Sequence, residues 1–208
     1  MIKRTVLFFV LCMSFAFVGY SQTIRWSKGE DLKFLDGEKS LKVVISYDSL
    51  VFDNGKKEME FQEEIAKGYE ADKPGKGTAY LEKWAKAKTE VFTPHFMKDF
   101  EGYMKKIKIK ADPEAKDNKY VLIVYPLTVT PGAASFPGQR GAPSYCDFRL
   151  SIVEEANPKN EVASVFVYQV MGMLIGHDFD QSFIGRFKNC FWFCGIVVGK
   201  DIVKKKKG

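Results

Sequence analysis

Histidine is scarce in this chain: His95 and His177 are the only two in 208 residues. Neither is accompanied by a serine or cysteine nucleophile signature, so triad-type hydrolysis has little to be built from. His95 falls in the first turn of an expected helix, where positive charge is disfavoured, and His177 lies in Gly176-His177-Asp178. A phosphate loop is missing too. Gly75-Lys76-Gly77-Thr78 has the right flavour, but Gly77 stands where Ser or Thr is required and no glycine stands five before Gly75. No apolar run reaches the roughly 20 residues a membrane span needs; the longest, Val6 to Val18, follows Lys3 and Arg4 and precedes Gly19-Tyr20-Ser21. That is the pattern of an export signal over residues 1–21, cleaved to leave Gln22 first. Cys12 lies inside the run, yet the large Leu11 before it and the apolar residues beyond it argue against lipid attachment. The expected product is periplasmic or secreted, with no integral span.

Surplus charge is also lacking. Losing Lys3 and Arg4 lowers the formal charge from +6 to +4, and Lys204 to Lys207 account for what remains. A neutral body excludes a basic nucleic-acid patch, and residues 204–208 read as a solvated, frayed tail. Cysteine is sparse and odd in number after cleavage: Cys146, Cys190 and Cys194. Cys190 and Cys194 sit four apart on an expected helix, where side chains run parallel and a disulfide would distort the backbone. Buried thiols behaving as small hydrophobes are the simpler reading, with a bridge from Cys146 to one of them as the rival. With Phe187, Phe191 and Val198 around those thiols and no second close pair, His177 does not complete a zinc site. No metal or cofactor is expected.

What the chain does contain is Tyr120 to Thr130, YVLIVYPLTVT, apolar on both faces and read as the buried strand around which the rest is organised. Val121, Ile123, Tyr125, Leu127 and Val129 fall on one side, Leu122 and Val124 on the other, and helices are expected over the second side. Pro126 makes this strand an edge or gives it a bulge. Residues 22–39, with Trp26, read as an arm lying over the domain. Leu41 to Phe52 is the first strand, ended by Asp53-Asn54-Gly55. Lys56 to Ala71 and Thr78 to Phe92 read as helices, and a third starts with Thr93 as N-cap and Pro94 behind it. Their aromatic and Met stripes read as helix-to-sheet core. Glu58, Glu60, Glu63 and Glu64 read as an ion-paired surface.

Pro131 to Pro143 is a Gly/Pro-rich loop carrying Phe136 and Arg140, a length that suits binding or mobility. A hairpin follows, from Cys146 to Ile152 and from Val162 to Val170, turning at Asn157 to Asn160. The last helix is expected to begin near Asp178 with Gln181 as capping-box partner. Its Phe187, Phe191 and Val198 side covers the sheet, while Trp192, Ile196 and Val203 point away beside Gly195-x-x-x-Gly199. That second stripe marks a partner surface unless the amino-terminal arm covers it. The expected fold is α+β: about four mostly antiparallel strands, with two or three helices inserted after the first strand and a long C-terminal helix, all one domain over residues 40–203.

This order of elements, with an exported start and a last helix carrying Gly185-Arg186-Phe187, Phe191, Gly195 and Gly199, resembles uncharacterised exported envelope proteins. At greater distance it is similar to the small α/β domain of curli-secretion and penicillin-binding-protein-activator lipoproteins. The resemblance covers Leu41 to Val203 and implies a protein-binding accessory domain of the cell envelope without catalytic residues. It carries over no binding residue, and the missing lipid-attachment cysteine sets the chain apart from those lipoproteins. The expected function is therefore non-catalytic: an envelope module binding a protein partner or its own copy through Trp192, Ile196 and Val203 or through the loop with Phe136 and Arg140. The alternatives are a carrier of small apolar ligands, with a pocket near Tyr103 and Tyr125, and a hydrolase built around His177 and Asp178.

Overall fold

The computed structural model describes residues 23–116, 118–133, 141–172 and 182–207. The presumed arm begins as a strand, β1 (Thr23–Lys28), because Ile24 and Trp26 alternate with Thr23, Arg25 and Ser27. The apolar stretch Leu41 to Phe52 is not one strand. Ser46 Oγ donates to Asp48 and accepts the Asp48 N–H, Leu50 N–H bonds the Tyr47 carbonyl, and the turn divides the stretch into β2 (Ser40–Ile45) and β3 (Val51–Phe52).

Helices α1 (Glu58–Asp72) and α2 (Lys76–Ala87) follow, then a π-helical turn, Lys88–Phe92, and α3 (Thr93–Lys105). Thr93 is therefore no N-cap: it has helical φ and ψ, and its Oγ1 donates to the Lys88 carbonyl. The widened turn accommodates Pro94, which lacks the N–H that a regular helix would require. The chain continues through β4 (Lys110–Asp112), β5 (Tyr120–Thr130), β6 (Ser144–Glu154), β7 (Asn157–Gly172) and α4 (Phe183–Lys207). The β6–β7 turn lies at Glu155 and Ala156, with Glu154 paired to Asn157, so Pro158 sits in a strand end whose register shifts around it.

The fold is α+β, but the sheet has seven strands, not about four, and is mixed. Its order is β1-β7-β6-β5-β2-β4, with β3 also on β5. β5, β6, β7 and β1 pair antiparallel in turn, whereas β2 runs parallel to both β4 and β5. Three helices between β3 and β4 give the chain the length a parallel return needs. β5 is thus central, and Pro126 is tolerated because the register shifts between Pro126 and Val129.

One side of the sheet is packed. Leu122 and Val124, Cys146, Phe148 and Leu150, and Ala163, Val165 and Val167 are buried there, and Phe148 meets Phe191 of α4 edge-on at 5.2 Å. Trp84, Phe92, Phe183, Phe187 and Phe191 form a run of stacked and edge-to-face rings behind it. Trp84, Phe92, Phe187 and Phe191 are fully buried, and each contributes roughly 1.5–3 kcal/mol. Helices α3 and α4 press together where the glycines stand: a Cβ on Gly195 would lie 2.3 Å from the Phe96 carbonyl oxygen, and one on Gly199 2.8 Å from the Tyr103 ring.

α4 begins, among the described residues, with Ser182 Oγ accepting the Gly185 N–H; Asp178 and Gln181 lie outside them. Its end is not frayed. Lys205 and Lys206 pair with Glu30 and Asp36, and Trp26 Nε1 donates to Asp201 at 2.6 Å. No helix among the described residues is long and apolar enough to cross a membrane.

Candidate functional site

Paired residues on neighbouring strands share a face of the sheet. Opposite the helices, the register sets Tyr125 of β5 beside Arg149 of β6, then Phe166 of β7, then Arg25 of β1, in one row. The next row is Ile123, Ser151, Ser164 and Lys28, flanked by Val44 of β2. Beyond it come Lys42, Val121, Val153 and Glu161. Among the described residues no helix lies over this face. Val44 is 38% exposed, and Val121, Ile123, Tyr125, Leu127, Phe166 and Tyr168 are half-buried.

The chemistry of the face is built at its centre. Glu161 accepts from Arg149 and from Ser151, and its main-chain carbonyl accepts from Lys28. Arg149 also stands 5.9 Å from the Tyr125 ring, and Phe166 and Tyr168 stack with planes 9° apart. Ser164 is 2% exposed, and its hydroxyl has no hydrogen-bond partner. The face thus sets aliphatic side chains and rings among four cations, Arg25, Lys28, Lys42 and Arg149, one carboxylate, Glu161, and a buried hydroxyl without a partner.

The sequence-derived stripe is partly spoken for. Trp192 donates its indole N–H to Asp99 of α3, and Lys98 lies 4.7 Å above its ring. Trp192, Ile196 and Val203 are all half-buried. It is α3 that Trp192 meets, while Trp26 of the arm reaches Asp201 and Lys205 further along α4. Phe136, Arg140 and His177 lie outside the described residues. Tyr103 is on α3 and Tyr125 on the opposite side of the sheet, so the two do not line one pocket.

Three other groups fall into place. Glu58 is not part of a solvated acidic surface: it accepts from Trp84 Nε1 at 2.7 Å and pairs with Lys88. It borders a cleft of about 670 Å³ with Tyr47, Asp48, Lys57 and Lys88. The only signal in the sequence was Trp84, whose N–H needs a buried acceptor. The Gly75 and Gly77 N–H groups, which a phosphate would have required, are taken by Glu70 at 2.8 and 2.9 Å, and they hold its carboxyl below its ordinary range. Cys146, Cys190 and Cys194 are free thiols, fully buried, and burial pushes all three well above the ordinary cysteine range. No group of three or more His, Cys, Asp or Glu among the described residues is placed to hold a metal ion. His95 contacts the Val91 carbonyl through Nδ1 at 2.7 Å.

No family model matches the sequence, and no curated protein matches it. Among solved structures the chain is similar to a PelC dodecamer from Paraburkholderia phytofirmans, at 13% identity over 83% of this chain and 98% of that one, with a TM-score of 0.31. A likeness of that size carries no argument about what this chain does.

Proposed function

We propose that this chain is an exported, non-catalytic accessory module of the cell envelope that holds a protein partner, or another copy of itself, on the open face of its sheet. The observation that carries the reading is that face: β2, β5, β6 and β7 present valines, an isoleucine and aromatic rings, β1 adds Arg25 and Lys28, and no described helix lies across them. Neighbouring apolar side chains on an uncovered face, rimmed by charged ones, mark a contact surface. The leader over residues 1–21 supports export, and the resemblance to envelope proteins supports an accessory role. The inaccessibility of the three thiols speaks against cysteine chemistry.

The test is co-purification of the tagged full chain from envelope extracts, alongside Tyr125→Arg. A specific companion, or an untagged copy, retained by the native chain and lost with Tyr125→Arg is the expected result. An identical profile for both, with both folded by circular dichroism, refutes the use of this face.

A further inference from the structure

We propose that the cleft between the β2–β3 turn and the start of α1 binds a small dipolar molecule, one that carries an ammonium and a carboxylate a few bonds apart, as a free α-amino acid does. None of the open-face residues line it, so this site stands or falls apart from that face. The cleft holds about 670 Å³, within the roughly 300–1,000 Å³ of small-molecule sites. It opens beyond the carboxyl end of β2, which runs parallel to β4 and β5. Sheets with parallel strands hold ligands at that end.

The charges lining the cleft select the class of ligand. Two carboxylates, Asp48 and Glu58, and two ammonium groups, Lys57 and Lys88, border it. An anion such as phosphate is repelled there by as many charges as attract it, and so is a simple cation. Part of the set is already used. Trp84 Nε1 and Lys88 both bond Glu58 Oε1, and Ser46 Oγ donates to one oxygen of Asp48. What is left over is Glu58 Oε2, the second Asp48 oxygen and the Lys57 ammonium, none of which has a hydrogen bond or ion pair among the described residues. With its side chain 12% exposed and Oε1 fixed by two donors, Glu58 holds Oε2 in one place. A ligand's ammonium can therefore donate to Glu58 Oε2 and to Asp48, and its carboxylate can accept from Lys57 and from the remaining hydrogens of Lys88. Both ends of an amino acid are matched together, whereas blocking either end leaves one pair of charges without its partner. Met59, which lines the cleft and is 54% exposed, is the apolar surface left for the ligand's own side chain.

Isothermal titration calorimetry of the full chain with each of the common free amino acids tests this. At least one is expected to bind with a dissociation constant below about 1 mM. Its N-acetyl form and its amide are each expected to bind at least about tenfold more weakly, the scale of one charge-assisted hydrogen bond. Asp48 and Lys57 are exposed, so Asp48→Asn and Lys57→Ala leave the fold untouched, and each should weaken binding by about the same factor. Glu60→Gln, a neighbouring exposed carboxylate outside the cleft, is the control and should change nothing. Failure of every amino acid to bind at roughly 10 mM overturns the proposal. So does binding that survives the loss of either charged end, or that ignores both Asp48→Asn and Lys57→Ala.

Discussion

Replacing Gly195 by alanine separates two meanings of the same motif. If Gly195 and Gly199 serve the contact between α3 and α4, the added methyl is obstructed; if they face a partner, it is free. The geometry gives the magnitude. The new Cβ would sit 2.3 Å from the Phe96 carbonyl oxygen, about 1 Å inside the closest ordinary C···O approach of roughly 3.3 Å. That oxygen is main chain and cannot swing aside, so α4 must retreat from α3. Overpacking of this kind costs about 1–3 kcal/mol or more, against which alanine returns about 1 kcal/mol of helix propensity. Since the clash is with main chain, the upper end of that range applies: a net loss of about 2 kcal/mol is expected, and a melting temperature lower by about 4–8 °C at about 2–4 °C per kcal/mol for a chain of this size. Gly68 in α1 is the control, because a Cβ there meets nothing within 4 Å. Gly68→Ala should stabilise by about 0.5–1 kcal/mol. Urea titrations with unchanged slopes would report both. If Gly195→Ala is as stabilising as Gly68→Ala, the close approach of α3 and α4 is wrong and the glycine pair faces outward.

Two further expectations concern titratable groups. Cys146, Cys190 and Cys194 should resist a thiol reagent at pH 8 in the folded chain and react at the rate of global unfolding; one fast native thiol would refute their burial. Tyr47 and Tyr80 are raised above the ordinary value of 10.0, in both cases chiefly by burial and then by Glu58 for the first and Tyr69 for the second. A raised folded value means the unfolded chain releases the proton first, so the stability these groups supply is complete below about pH 10 and is lost progressively as pH rises from there through the higher folded values. The ultraviolet signal of the last tyrosines to ionise should then rise together with unfolding, and ionisation in a still-folded chain would sink the point.

How much could be read beforehand is best seen in β5. Alternation divided its residues into two faces and required a cover for one, and Pro126 required an edge or a bulge. The bulge was right, and it had a consequence that periodicity does not encode: the shift after Pro126 moves Val129 from the company of Val121 and Ile123 to the buried side with Leu122 and Val124. Alternation also cannot say which apolar face receives the helices, since that follows from crossovers between distant segments. β1 was hidden in a charged arm whose alternation was short, β3 and β4 are two and three residues long, and Glu58 looked like its solvated neighbours until Trp84 folded over it.

The bare face and the glycine pair are linked. The crossover from β3 to β4 and the return from β7 deliver α3 and α4 to the same side of the sheet, where α4 packs on β6 and β7 and α3 on β4. Two helices of ordinary bulk sit 8–10 Å apart; Gly195 and Gly199 let these approach closely enough for Phe191 and Phe96 to share one core. Burial on that side is thus concentrated in a single dense layer, and the described chain places no further element on the other. Had β5 been polar at Val121, Ile123 and Tyr125, this would be an ordinary two-layer domain with a solvated back. Those positions are apolar instead, and on the proposed reading it is a partner molecule that covers them.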